Sequence, residues 1–435
     1  MEDYHFLFQI AVILLVTKVL SIITKRIALP QVVGALAAGL LMGPAVLGIL
    51  HETNLTNQIS ELGVIVLMFT AGLGTDITEL RRSGKAAFII ALIGVIVPFG
   101  GGFLLASIFN KGSENLLQNL FIGVILTATS VSITVETLKE IGKLSTRSGN
   151  AILGAAIIDD VLGILALTLI TSMSGEGGEK FYIVLIKIFA FFAISVVIGT
   201  LLHKLVDKWF SKYQRDKRRF VVIAFAFCLL YSYIAVVGFG VADITGAYIA
   251  GLIFAKTPKI TFLQNKFDTL SYMLLSPVFF AGIGLKVEIP SMSGGIILFS
   301  ILLIIVAAST KVIGCGLGAK LCHYSNTESL RIGVGMITRG EVALVVANNG
   351  IASGVMKTEF FGPVIVMVIS TAILTPILLK AVYRGKEADY SELVESQLLN
   401  KHLDTEYFDI ASQRLLDDHD NISSTNELQH KKNHD

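Results

Sequence analysis

The chain has 435 residues, of which 53% are hydrophobic and only 16% charged, with a mean hydropathy of +0.73. That composition excludes a soluble domain of this size, because apolar runs long enough to cross a bilayer recur along it. A formal charge of +2 argues against a nucleic-acid partner, and the three cysteines, Cys228, Cys315 and Cys322, have neither disulfide-framework nor zinc-site spacing.

A spanning-length window predicts thirteen helices, at 6–24, 32–50, 59–74, 86–109, 119–137, 149–171, 182–202, 220–238, 241–255, 269–285, 295–319, 331–350 and 360–380. The first follows Glu2 and Asp3 where a secretory signal would carry lysines, and no small-residue cleavage site comes after it, so it reads as a retained helix. If the loop with Lys25 and Arg26 is cytoplasmic, the alternate loops on that side hold 23 basic residues, against four on the other: Lys111, Lys180, Lys286 and Lys357. The positive-inside rule then puts the N-terminus outside and the C-terminus in the cytoplasm.

An internal repeat runs through this array. "GALAAGLL" from Gly34 matches "GAYIAGLI" from Gly246 at five of eight positions, and "FTAGLG" from Phe69 matches "FFAGIG" from Phe279 at four of six. The offsets, 212 and 210 residues, equal seven predicted helices, so the two halves face opposite ways across the membrane. Inverted repeats of this kind mark secondary transporters, which bind substrate at the midplane near interrupted helices.

The fifth and twelfth helices are poor continuous helix at corresponding places. The fifth crowds Thr127, Thr129, Ser130, Ser132 and Thr134 together before Glu136, and the twelfth contains Gly333, Gly335, Arg339, Gly340 and Glu341. Hydroxyls that bond backbone carbonyls bend a helix, and glycines let it unwind. Breaks at both places would free carbonyls to coordinate a cation and aim half-helix dipoles at the bilayer centre.

Ionisable residues lie at the same depth. "AAIIDDVLGI" places Asp159 and Asp160 near the middle of the sixth helix, and Lys311 sits well inside the eleventh, too far from either end to snorkel. Each such group costs about 3 kcal/mol to insert, so each marks a function or a pair. Successive helical side chains diverge by roughly 100°, so one aspartate can pair with Lys311 while the other faces a water-filled cavity. Lys18 and Lys187, nearer their helix ends, read as snorkelling.

Desolvation and like-charge repulsion favour the protonated carboxyl, while the lysine and the hydroxyls favour the charged one, so a proton there is exchangeable near neutral pH. A carboxylate with oxygen neighbours holds either H+ or a small hard cation, and mutual exclusion at a site opening alternately to each side is antiport. An intramembrane aspartyl protease would need its two carboxylates on separate helices. A channel would favour charge rings or a carbonyl filter over a buried Asp-Asp and lysine.

Taken together, "AAIIDDVLG", the hydroxyl-rich fifth helix, "MITRGEVALVV" and the buried lysine resemble bacterial monovalent cation:proton antiporters of the cation/proton antiporter-2 family, close to its sodium/proton members, over about residues 6–382. The resemblance implies an all-α polytopic fold of thirteen helices with two crossed broken helices. It implies a homodimer in which helices 1–3 and 8–10 form a panel while helices 4–6 and 11–13 move as an elevator. It also implies that the protein is a transporter and not an enzyme, with no cofactor, carrying Na+ foremost, or K+ in the manner of potassium-efflux relatives, against H+ across the cell membrane. Carried over by motif, Asp160 is the principal cation and proton ligand, with Asp159 beside it as the partner of Lys311. Thr129 and Ser130 line the fifth-helix break, and Arg339 and Glu341, with Glu136, support the helix crossing.

Residues 1–382 would then be the transmembrane unit and 383–435 a short cytoplasmic tail, with an amphipathic helix over 390–416 and a disordered end. That tail has no G-x-G-x-x-G fingerprint, so nucleotide gating within the chain is not expected.

Overall fold

The computed structural model describes residues 4–27, 29–75, 77–110, 116–173, 181–212, 217–255, 257, 260–287, 293–352 and 354–384. The expected tail helix lies outside them. Among the described residues there are sixteen α-helices and no strand: α1 (His5–Arg26), α2 (Gln31–Met42), α3 (Asn54–Leu73), α4 (Ile77–Phe109), α5 (Leu116–Ile125), α6 (Val131–Glu140), α7 (Arg147–Met173), α8 (Phe181–Lys212), α9 (Lys217–Tyr233), α10 (Asp243–Phe254), α11 (Ile260–Leu270), α12 (Ser276–Leu285), α13 (Gly294–Leu321), α14 (Asn326–Gly335), α15 (Glu341–Ala352) and α16 (Phe361–Tyr383).

These occupy the thirteen predicted spans, because α5 with α6 and α14 with α15 are two halves of one span each, and α11 runs into α12 through a π-helical turn, Ser271–Leu275. Among the described residues nine helical stretches are long and apolar enough to cross a bilayer. Outward-facing Leu15, Phe189, Val197, Ile305 and Leu317 are all more than half exposed, as suits side chains solvated by lipid tails. The protein is therefore an integral membrane protein.

Bounds differ from the sequence reading where composition misleads. The second helix stops at Met42, not at 50: Gly43 and Pro44 interrupt it, and Gly48, at φ +61°, turns the chain back. Helix α4 begins nine residues before 86, because Arg81, Arg82 and Lys85 lower the hydropathy of a segment that is nonetheless helical. Reciprocal side-chain caps start two of the helices. Thr53 and Thr56 open α3, and Ser325 and Glu328 open α14, where Glu328 N donates to Ser325 Oγ at 3.2 Å and Ser325 N to Glu328 Oε2 at 2.8 Å.

Two bundles result. One packs α4 against α13 and α7, with α5, α14 and α16 around them; the other packs α1 on α2, α2 on α12, and α3 on α10 and α12. The second bundle is built on glycine contacts that follow the repeat. A Cβ at Gly39 would stand 1.9 Å from Ala281 O, bringing α2 onto α12; a Cβ at Gly251, 212 residues later, would stand 2.3 Å from Phe69 O, bringing α10 onto α3. Small residues at such crossings let backbones approach closely in lipid. Gly251→Ala is therefore expected to destabilise the fold by about 1–3 kcal/mol, the usual cost of overpacking. Thermal melting in detergent, beside Gly84→Ala as a control in open space with ordinary backbone angles, checks this; an unchanged Gly251→Ala would contradict the close contact.

Candidate ion-binding site

Both predicted interruptions are present. Helix α5 ends at Ile125 and α6 starts at Val131; α14 ends at Gly335 and α15 starts at Glu341. The uncoiled residues 126–130 and 336–340 are separated by 210 positions, the offset of the Phe69–Phe279 match. They cross in direct contact: Ser130 N donates to Thr338 O at 2.9 Å, and Thr134 Oγ1 donates to Gly335 O at 2.7 Å. A Cβ at Gly340 would lie 2.5 Å from Ser130 Cβ, so only glycine allows this crossing. The carbonyl ends of α5 and α14 and the N–H ends of α6 and α15 thus converge at one point, bringing partial charges of both signs together.

Charged side chains surround that point. Lys311, on α13, donates to Asp159 Oδ1, on α7, at 2.7 Å, and both side chains are 0% exposed. Asp159 Oδ2 is buried without a hydrogen-bond partner. Arg339, also fully buried, lies within the second break. Its guanidinium donates to Met336 O and Ala307 O, each at 3.4 Å, and to Thr129 Oγ1 at 3.5 Å, while its backbone N–H donates to Thr371 Oγ1 at 3.1 Å. Thr129 and Arg339 are repeat mates, 210 positions apart, and the Arg339 guanidinium sits where the carbonyl ends of the half-helices point.

Asp160 faces elsewhere. Half-buried, it lines a cavity of about 10 Å3 with Val131 of α6, Leu153 and Ile157 of α7, Met68 of α3, and Ile244, Thr245 and Tyr248 of α10. This cavity lies where the two bundles meet. The hydroxyls of Ser130 and Ser132 are buried without hydrogen-bond partners. Thr129, Ser130, Asp159, Lys311 and Arg339 thus gather about the crossing, with Asp160 on the cavity beside it. Glu341 is the first residue of α15, and its side chain lies outside the described residues.

Glu136 stands apart from this group. It lines a second, larger cavity of about 630 Å3 between α6 and α1, α2, α11 and α12, together with Lys18, Lys139, Glu140, Asp268 and Tyr272. Two ties cross it from the end of α6. Lys139 pairs with Asp268 of α11, and the Glu140 carboxylate accepts from the Gln31 N–H at the start of α2, at 2.8 and 3.0 Å. Lys18 reaches the Tyr272 hydroxyl on the same wall.

A polytopic helical fold with inverted repeats, two crossed helix breaks and buried counter-charges defines the class of secondary transporters. The profile of the transmembrane sodium/hydrogen exchanger family matches residues 11–385. The chain is 36% identical over 385 residues to the Na(+)/H(+)-K(+) antiporter GerN of Bacillus cereus, covering 88% of this chain and 98% of that one. It is 34% identical to a Na(+)/H(+) antiporter of Enterococcus hirae, covering 86% and 97% of the two chains. Its fold is similar to that of the sodium proton antiporter MjNhaP1 of Methanocaldococcus jannaschii, with a TM-score of 0.64 over 88% of this chain and 98% of that one, at 18% identity. The chain belongs to the sodium/hydrogen exchanger family.

Proposed function

We propose that the protein is a secondary antiporter exchanging a monovalent cation, Na+ foremost, for H+, with Asp160 as the ligand the two ions share. The observation that carries this reading is the division of labour within "IIDDV": Asp159 is held by Lys311, and Asp160 lines a cavity between the bundles beside two matched helix breaks. A cation entering that cavity displaces the Asp160 proton and is completed by the hydroxyls and freed carbonyls of the breaks, Thr129 and Ser130 among them. Carrying a bare carboxylate through a low-dielectric interior is costly, so the loaded forms, protonated or cation-bound, are the ones that move. Arg339 holds the crossing together while they do.

In this reading α4–α7 and α13–α16 travel as one body against α1–α3 and α9–α12, the second group also pairing two protomers. The N-terminus lies outside the cell membrane and the C-terminus in the cytoplasm. The resemblance to antiporters with paired aspartates and a membrane lysine favours exchange of more than one proton per cation. The K+ in the name of the Bacillus cereus relative favours K+ as a second cation.

Purified protein in proteoliposomes with an acidic lumen and a lumenal pH dye tests this. Adding Na+ outside, or K+ or Li+ in turn, is expected to make the lumen alkaline. A gradient that no cation dissipates, with the protein folded and inserted, would reject antiport.

A further inference from the structure

We infer that Thr245, on the opposite bundle from Asp160, is a cation ligand of the same pocket and sets cation preference; this deepens the antiport reading and rests on it. Thr245 is the third residue of α10, only 2% exposed, and its Oγ1 has no hydrogen-bond partner. A buried hydroxyl left unsatisfied is costly, and one that persists calls for an occupant that satisfies it. It lines the Asp160 cavity, whose other hydroxyl, on Tyr248, is already engaged, donating to Thr75 Oγ1 at 3.0 Å. At about 10 Å3 the cavity holds one water-sized particle. An ion entering it must exchange hydration for the oxygens present, and a threonine hydroxyl offers two lone pairs to a hard cation.

The repeat sharpens the argument. Aligning Gly34 with Gly246 sets Thr245 opposite Val33, which is also buried. The hydroxyl is thus present in the copy that faces Asp160 and replaced by a methyl in its mate, so packing of the shared small-residue helix does not require it. Thr129 and Ser130 belong to the same bundle as Asp160. Thr245 belongs to the other, so motion of one bundle past the other separates it from the carboxylate. The cation's ligand set is then complete in one conformation and short of an oxygen in the other.

The test uses full-length protein in the proteoliposome assay, comparing wild type with Thr245→Val, Thr245→Ala and Thr245→Ser over a range of Na+, Li+ and K+. Removing the hydroxyl, in Val or Ala, is expected to raise the half-maximal Na+ concentration about tenfold and to change the Na+ to K+ ratio, with Ser restoring both. Thermal stabilisation by added Na+ is expected to weaken in Val and Ala and to return in Ser. Wild-type half-maximal concentrations for every cation in Val or Ala would overturn the assignment. So would an unrestored Ser variant, which would assign the threonine to packing. A wild-type protein that moves no protons would instead fail the antiport reading, so the two failures are distinct.

Discussion

Asp160→Asn is expected to abolish cation-driven alkalinisation while the protein still folds and inserts. The amide matches the carboxylate in shape but carries no exchangeable proton at neutral pH and no charge for the cation. Two unit charges about 4 Å apart attract by roughly 4 kcal/mol at the effective dielectric of partly buried sites, which is about a thousandfold in cation affinity. Exchange should therefore vanish for all three cations. Retained exchange would remove Asp160 from the shared site and point to Asp159, whose second oxygen is buried without a partner.

Lys311→Ala is expected to have the largest effect on stability. It leaves the Asp159 carboxylate in a site where both partners are 0% exposed, and stranding one member of a buried pair costs about 3–5 kcal/mol. The variant should thus melt well below wild type. The double variant Asp159→Asn with Lys311→Gln removes both charges and is expected to recover most of the stability. A single variant with wild-type melting would show that the 2.7 Å contact carries no stability.

Much of this architecture is legible in the sequence because lipid leaves so few options: backbone groups must be satisfied within helices, and every exception needs a local cause. Hydropathy marks the spans, and the hydroxyl cluster at Thr127–Thr134 and the glycines at 333–340 mark the breaks. Asp159, Asp160 and Lys311 are conspicuous because each is expensive where it lies. The α3 and α10 side of the pocket is not legible in the same way. Met68, Thr245 and Tyr248 are ordinary membrane residues, and only tertiary packing brings α3 and α10 to the aspartate. The one sequence signal at Thr245 is its mismatch with Val33 within the repeat, which an alignment of glycines passes over. Glu136 shows the converse difficulty. Six residues past the break it looks like part of the crossing, but the helical turns between aim it into the larger cavity.

The two ties at the end of α6 bear on how the molecule waits between cycles. Lys139–Asp268 and Glu140 on the Gln31 N–H both join α6 to the opposing bundle, and the ion pair is about one-third exposed on each side. Contacts so wet are worth at most about 1 kcal/mol each, which together bias a two-state equilibrium by at most about thirtyfold. A dry, deeply buried pair in the same place would arrest the protein in one form. In the proposed alternation, ties of this strength would tilt the idle population toward one orientation and still let it be reversed by the binding of a single ion, and screening by salt would make that tilt depend on ionic strength.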